Sequence, residues 1–257
     1  MKCREIMDCL ESMSPKSYAL DWDNVGLLVG REDKKVKKVM IALDATDHVV
    51  DLAIDEGADM LITHHPMIFS KIKRVTSDDI VGSKILKLAE SGISYYAMHT
   101  NFDIKGGMAV YAANLLGMKN TVVLEETLPG EGIGRVGYIN GVNDCRDVIS
   151  LVKEKFDLNN VFVYGDSYKK VKKIAICPGS GKSVISSAKK LGADCLITGD
   201  IGHHEGLDAI EMGLTVIDAT HSGIEKIFVE YIYNYLDPLC HNVQLIKVNE
   251  GCPMKLF

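Results

Sequence analysis

Four of the eight histidines in this 257-residue chain stand where they could hold a metal ion. His64 and His65 are adjacent. His99 precedes Asp103 by four residues, and His221 precedes Glu225 by the same interval. Imidazole nitrogens mixed with carboxylate oxygens suit zinc, iron(II), manganese or cobalt, whereas a soft thiolate set would need cysteines. A carboxylate can bridge two ions, which is how two metals come to lie about 3.5–4 Å apart. Neighbouring residues at a strand end splay, so the two imidazoles of His64-His65 could serve two ions, or one could bind while the other orients. Taken alone, a His-His pair is more often a core or surface feature, and a His four residues before an acid is weaker still. What raises the signal is that these residues recur at strand ends of a repeated sequence.

The repeat is explicit. Lys34-Lys35-Val36-Lys37-Lys38-Val39 returns as Lys169-Lys170-Val171-Lys172-Lys173-Ile174, and Gly57-Ala58-Asp59-Met60-Leu61-Ile62-Thr63 returns as Gly192-Ala193-Asp194-Cys195-Leu196-Ile197-Thr198, both at an offset of 135. The first copy runs into His64-His65, the second into Gly199-Asp200. Around these anchors the periodicity predicts helix 4–13 ended by Ser14-Pro15, strand 36–43, a helix through Val49, Val50, Ala53 and Ile54 stopped by Gly57, and a short strand at Leu61-Ile62. Helix 80–90, strand 93–98 and helix 106–116 follow. The second copy predicts strand 171–177, helix 182–191 ended by Gly192, strand 195–198, helix 206–212, strand 215–218 and helix 223–235. Glu225 then falls in the first turn of the last helix. Pro129-Gly130 has turn chemistry and lies between the copies. Strand–helix–strand units of this length imply right-handed parallel crossovers. Their strands present C-terminal ends on one edge, where open α/β sheets bind ligands. The expected fold is therefore α/β: two similar lobes from an internal duplication, about 1–124 and 125–257, with mixed, mostly parallel sheets flanked by helices, joined in one unit.

Bulk properties narrow the class. The chain is 47% hydrophobic and 25% charged, the profile of a globular protein. A net charge of −6 argues against wrapping nucleic acid in a global basic field. No apolar run approaches the roughly 20 residues that span a bilayer, and the start of the chain lacks a signal-peptide core. Seven scattered cysteines without a C-x-x-C pair fit free thiols in a reducing compartment. The expectation is a cytoplasmic protein with no membrane partner.

Six motifs together carry a resemblance to a known family. Asp21-Trp22-Asp23-Asn24-Val25-Gly26-Leu27, Thr63-His64-His65-Pro66, His99-Thr100-Asn101-Phe102-Asp103, Gly132-Ile133-Gly134-Arg135-Val136-Gly137, Thr198-Gly199-Asp200 and His221-Ser222-Gly223-Ile224-Glu225 together resemble the dinuclear-metal family called GTP cyclohydrolase I type 2 homologues, or NIF-three-like proteins. The likeness covers essentially the whole chain. It implies two divalent ions per chain on His64, His65, Asp103, His221 and Glu225, and a homohexameric ring of dimers. This chain resembles the short form, without the domain that longer members insert between the halves.

The first functional expectation is a metal-dependent hydrolase acting on a nucleotide or related heterocycle, with GTP ring opening as the example. His99, four residues before Asp103 and not needed as a ligand, is the acid/base candidate; the alternative is that it fixes Asp103. Asp23 and Asn24 would orient His99 or the substrate. Trp22, the single tryptophan, reads either as a core anchor or as a stacking surface for a base. Arg135 is a candidate anion contact. Two rivals keep the metals: a phosphoesterase on nucleotides or single-stranded nucleic acid, and a non-enzymatic ring that binds protein or DNA. The lysine stripes 34–38 and 169–173 are solvated strand starts, or, lining one face of a ring, a weak contact for single strands.

Other signals are declined. Gly132 to Gly137 formally matches G-x-G-x-x-G, but no helix starts there, and its glycines read instead as tight turns near the metals. Gly179-Ser180-Gly181-Lys182-Ser183 lacks the first glycine of a phosphate loop, Ile176 standing in its place, so a plain turn outweighs a phosphate cradle. His203-His204 reads as a helix start, and His48 and His241 as surface residues.

Overall fold

Val39-Met40-Ile41-Ala42 and Leu61-Ile62 are apolar on both faces, the pattern of strands buried between helices. The computed structural model, which describes residues 1–105 and 107–254, makes them parallel central strands of a mixed sheet. The chain divides into two compact units, Met1–Lys105 with Phe228–Gly251, and Gly106–Ile227 with Cys252–Phe257.

The first unit begins with α1 (Cys3–Met13), β1 (Gly26–Val29), β2 (Lys38–Ala42), α2 (Asp47–Asp55), β3 (Met60–Thr63), α3 (Ile80–Glu90), β4 (Ser94–Ala97) and α4 (Thr100–Ile104). Thr46 and Asp79 cap α2 and α3, their side-chain oxygens accepting from Val49 N and Gly82 N. β2, β3 and β4 lie side by side and parallel, and β1 closes the far edge antiparallel to β4.

The second unit holds α5 (Met108–Leu115), β5 (Lys119–Leu128), β6 (Glu131–Tyr138), α6 (Cys145–Lys155), β7 (Phe162–Tyr164), β8 (Lys173–Ser180), α7 (Ile185–Lys190), β9 (Cys195–Gly199), α8 (His203–Glu211), β10 (Thr215–Asp218) and α9 (His221–Glu225). Strands β8, β9 and β10 are parallel neighbours, with β7 antiparallel on β10. The order β1-β4-β3-β2 is thus repeated as β7-β10-β9-β8, as the duplication requires. The β5–β6 hairpin, turning at Pro129-Gly130, extends this sheet beyond β8. Then α10 (Ile227–Leu236) and β11 (Gln244–Lys247) return the chain to the first unit, where β11 pairs parallel with β2.

The repeated residues do the same work in each unit. Asp59 Oδ2 accepts from Lys37 N and Lys38 N at 2.8 and 3.2 Å; Asp194 Oδ2 accepts from Lys172 N and Lys173 N at 2.9 and 3.1 Å. One carboxylate therefore pins the start of each first strand to its neighbour and fixes the register. Lys38 Nζ donates to Glu56 O and Lys173 Nζ to Leu191 O, the C-terminal carbonyls of α2 and α7. Lys34 Nζ likewise reaches Gly92 O, and Lys169 Nζ reaches Gly213 O. Four stripe lysines thus cap helix ends within their own unit.

Several boundaries differ from the sequence reading. The division expected near 124–125 falls earlier, because α5 packs on β6 and β8. Residue 106, the expected start of that helix, and residues 255–257 lie outside the described residues. The helix expected over 223–235 is two helices interrupted at Lys226, whose N–H still donates to Ser222 O at 3.1 Å. The glycines of residues 132–137 sit inside β6 and not in turns. A Cβ at Gly132 or Gly137 would strike the backbone of β5, and Gly134 has φ +68 against Leu124 and Ile176 O, so they allow close strand approach. Among the described residues no helix is long and apolar enough to cross a membrane.

Candidate metal centre

Parallel pairing brings the C-terminal ends of β2, β3 and β4 to one edge of the first sheet, and the candidate residues leave from there. His64 N and His65 N both donate to Leu43 O, just beyond β2, at 3.2 and 3.1 Å. His65 O accepts from Thr63 Oγ1 at 2.8 Å and from Tyr95 Oη at 3.0 Å, while Tyr95 Oη accepts from Met67 N at 2.9 Å. The turn carrying both imidazoles is therefore bound to two neighbouring strands. His64 is buried against Phe102 and Phe228, with ring centroids 6.2 and 5.2 Å away.

Each imidazole has its Nδ1 on a fixed oxygen. His64 Nδ1 lies 2.7 Å from Met98 O, His65 Nδ1 2.8 Å from Asp44 Oδ1, and His99 Nδ1 2.9 Å from Asp23 Oδ1. A carbonyl or carboxylate oxygen only accepts, so each Nδ1 carries the hydrogen and Nε2 is the nitrogen that can ligate. This is how metal-binding histidines are oriented by their surroundings. Ring nitrogens of His64, His65 and His99 lie within 4.8 Å of one another. His64 Nε2 is 3.6 Å from Asp103 Oδ1, which is too long for a hydrogen bond. Two ligands about 2.0–2.1 Å from one tetrahedral ion stand roughly 3.3 Å apart, so the spacing suits a shared cation.

Asp23 gathers further donors. Its Oδ2 accepts from Thr100 N at 2.9 Å and Thr100 Oγ1 at 2.5 Å, and its Oδ1 from Asn24 N at 2.8 Å. Burial works to raise this carboxyl; the hydrogen bonds from His99 and Thr100 outweigh it and hold it at about 2. Asn101 anchors the same corner, its Oδ1 accepting from His99 N at 3.0 Å and its Nδ2 donating to Ser14 O at 2.9 Å.

The second unit builds a smaller set. His221 Nδ1 lies 2.7 Å from Asp200 Oδ2, and His221 Nε2 lies 2.9 Å from Glu225 Oε2. Both sit on α9, whose N-cap Thr220 has φ +61, an unusual conformation for a β-branched residue. Asp200 is also left-handed, at φ +56. Asp218 ties the two segments together from one carboxylate, accepting from Thr220 N through Oδ1 and, through Oδ2, from the N–H of Ile201, the residue after Asp200, each at 2.8 Å. Gly179 gives Glu225 its room: φ is +74, and a Cβ there would collide with Glu225 Oε1. That corrects the loop at 179–183. Its glycine clears space for a carboxylate, and the six-residue α7 is preceded by a single 3-10 turn.

Each unit's donors therefore fit a divalent cation: nitrogen and carboxylate oxygen, orientation fixed by neighbours. The repeat did not copy them, however. Sheet register matches Thr63 with Ala97 in one unit and Thr198 with Asp218 in the other, which makes His99 the counterpart of Thr220, not of His221. The two His-x-x-x-acid spacings are displaced by one residue.

The remaining candidates divide. Trp22 is 56% exposed and anchors no core. Asn24 Nδ2 donates to Ile68 O at 2.7 Å, tying two loops together. Arg135 is buried, with Nη1 donating to Gly132 O and Gly134 O at 3.2 and 2.8 Å. His203-His204 opens α8, as expected. Sequence reading missed Asp44 and Asp200, although an acid directly after a strand was a visible signal. It also missed Tyr95, which nothing in its spacing marks.

Residues 1–251 match the family described as Duf34/NIF3 (NGG1p interacting factor 3). The chain is 37% identical to a GTP cyclohydrolase 1 type 2 homolog of Clostridium perfringens, covering 88% of this chain and 87% of that one. It is 36% identical to a homolog of the same name from Methanocaldococcus jannaschii, covering 92% and 97%. Among solved structures it is similar to a Bacillus cereus protein related to NIF3, with a TM-score of 0.91, 25% identity and coverage of 100% and 99%. Reduced HcgD from M. jannaschii gives 0.87, 32% identity and coverage of 97% and 98%. Sequence match, topology and strand-end donors agree: the chain belongs to the Duf34/NIF3 family.

Proposed function

We propose that the chain is a hydrolase dependent on two divalent cations, held by His64, His65, Asp103, His221 and Glu225, and that it opens a ring of a nucleotide or related heterocycle. The observation that carries this reading is the Nδ1 anchoring of each histidine on a fixed oxygen, a pattern that core histidines have no need to repeat. The naming of relatives as GTP cyclohydrolase 1 type 2 homologs supports the choice of substrate class. Bound zinc, iron, manganese or cobalt would supply Lewis-acid activation of water at neutral pH.

The chain's own residues handle the proton. Ring opening adds water across a ring C–N bond, and the departing nitrogen must gain a proton. His99 can take up at Nε2 the proton that the attacking water gives up, and pass it on to the departing nitrogen, while Nδ1–H stays on the Asp23 carboxylate, which remains ionised. A second water then splits the formamide and releases formate.

The test is elemental analysis of the purified protein followed by a nucleotide panel with formate and phosphate assayed together. The reading expects about two ions per chain and metal-dependent formate release. Phosphate release instead would favour the phosphoesterase. Loaded protein that turns over nothing on the panel would favour a non-enzymatic ring. The quaternary form we propose is a homohexamer, the location the cytoplasm; light scattering that gives a stable monomer at micromolar concentration would overturn the first.

A further inference from the structure

Two large aromatic side chains stand in solvent beside His99. Trp22 and Phe69 are each 56% exposed, although burying either would remove a large apolar surface from water. Their ring centroids are 5.6 Å apart with planes tilted by 47°, so the pair forms an open V. Both meet His99 edge-on, Trp22 at 5.9 Å and 71°, Phe69 at 6.3 Å and 66°. The aromatics come from different loops, one before β1 and one after β3, and the loops are bound together. Asn24 Nδ2 donates to Ile68 O, next to Phe69, and Asp23 N donates to Leu20 O to close the turn carrying Trp22. A pair of exposed rings held this way is organised before anything binds, which lowers the cost of binding.

We propose that Trp22 and Phe69 form a stacking platform for the planar ring of the substrate, with His99 at its inner edge. The platform selects for an aromatic heterocycle and not for sugar or phosphate. It rests on the reading that the substrate is a nucleotide or related heterocycle, and it assigns Phe69 as a specificity determinant of that site. Stacking also explains the edge-on histidine: a ring lying on the V has its rim toward His99, where a departing ring nitrogen needs its proton.

Trp22 is the only tryptophan, so its fluorescence reports the platform without reference to turnover. The metal-loaded protein is titrated with GTP, guanosine, ribose 5-phosphate and inorganic tripolyphosphate. GTP and guanosine should quench the emission saturably, and the two probes without a ring should leave it unchanged. Phe69→Ala should raise the Kd for guanosine roughly tenfold or more, and Phe69→Tyr should restore it to within about threefold, since base stacking tolerates any flat partner. Equal quenching by tripolyphosphate, no saturable quenching at all, or an unchanged Kd in Phe69→Ala would overturn the platform. So would emission that shifts with protein concentration and is released by Phe69→Ala, because a second copy would then cover the patch. Formate release without quenching sinks the platform and spares the hydrolase; saturable, ring-dependent quenching without turnover does the reverse.

Discussion

Asp200 holds His221 Nδ1 at 2.7 Å, and Asp200 occupies, at the offset of the repeat, the position that His65 fills in the other unit. One copy of the strand end thus carries a ligand candidate and the other an orienting carboxylate. The change is paired: Asp44, which orients His65, has Gly179 at its equivalent position, where a side chain would displace Glu225. Duplication supplied the scaffold, and the two sets of donors diverged on it.

Removing either orienting carboxylate should loosen metal without unfolding the chain. Asp44→Ala and Asp200→Ala each free an imidazole to rotate, and losses of this kind run to about 10–100-fold in metal affinity. Competition against a chromogenic chelator measures it. Circular dichroism should match the parent, because both carboxylates sit outside the sheets.

Gly179→Ala should be worse than its backbone alone predicts. Gly57 is a control, with φ +62 and nothing within 4 Å of an added Cβ. Alanine at 57 bears only left-handed strain, about 1–2 kcal/mol. At 179 the same strain is joined by collision with Glu225 Oε1. Thermal melts should rank Gly179→Ala below Gly57→Ala, and only the former should lose metal in elemental analysis.

Much of this was legible in the sequence. The repeated Lys-Lys-Val and Gly-Ala-Asp segments exposed the duplication, and Lys34, Lys38 and Asp59 make the same bonds in the first unit as Lys169, Lys173 and Asp194 in the second. The His-His pair stood out because it breaks an apolar run at a strand end. Tyr95 did not stand out, and neither did the pairing of Asp44 with His65. Both depend on strand pairing, which brings residues 44, 65 and 95 together across three strands, and no local period records that. The unit boundary was misplaced for a similar reason: α5 has an ordinary helical pattern, and only packing assigns it to β6 and β8.

Tyr95 links fold stability to alkaline pH. It is buried, and burial pushes its phenol up to about 12, partly offset by hydrogen bonds with Thr63 and Met67 N. A raised pKa favours the neutral form in the fold, so the stabilisation is complete below pH ~10, the ordinary phenol value, and fades as pH rises through about 12. Tyr95→Phe should flatten the alkaline limb of a urea-melt series. At neutral pH it should cost about 1–3 kcal/mol, because Met67 N loses its buried acceptor.

The pairing of His99 with Asp23 predicts a separation of metal content from rate. If the five proposed ligands hold the cations, His99→Ala keeps both and loses roughly 100-fold or more in kcat, the usual size of an acid/base contribution. His64→Ala loses metal and rate together. Asp23→Asn should resemble His99→Ala, since a carboxamide can donate to Nδ1 and leave the wrong tautomer facing the substrate. Because Asp23 is held at about 2, its ionisation cannot shape a pH–rate profile near neutrality. Its stabilising contribution is present above its ordinary value of about 3.9 and is lost as pH falls through about 2. Metal analysis beside single-turnover rates decides the matter. Loss of metal in His99→Ala would make that imidazole a ligand within the His64-His65-His99 cluster. Full rate with both metals retained would move the proton donor elsewhere.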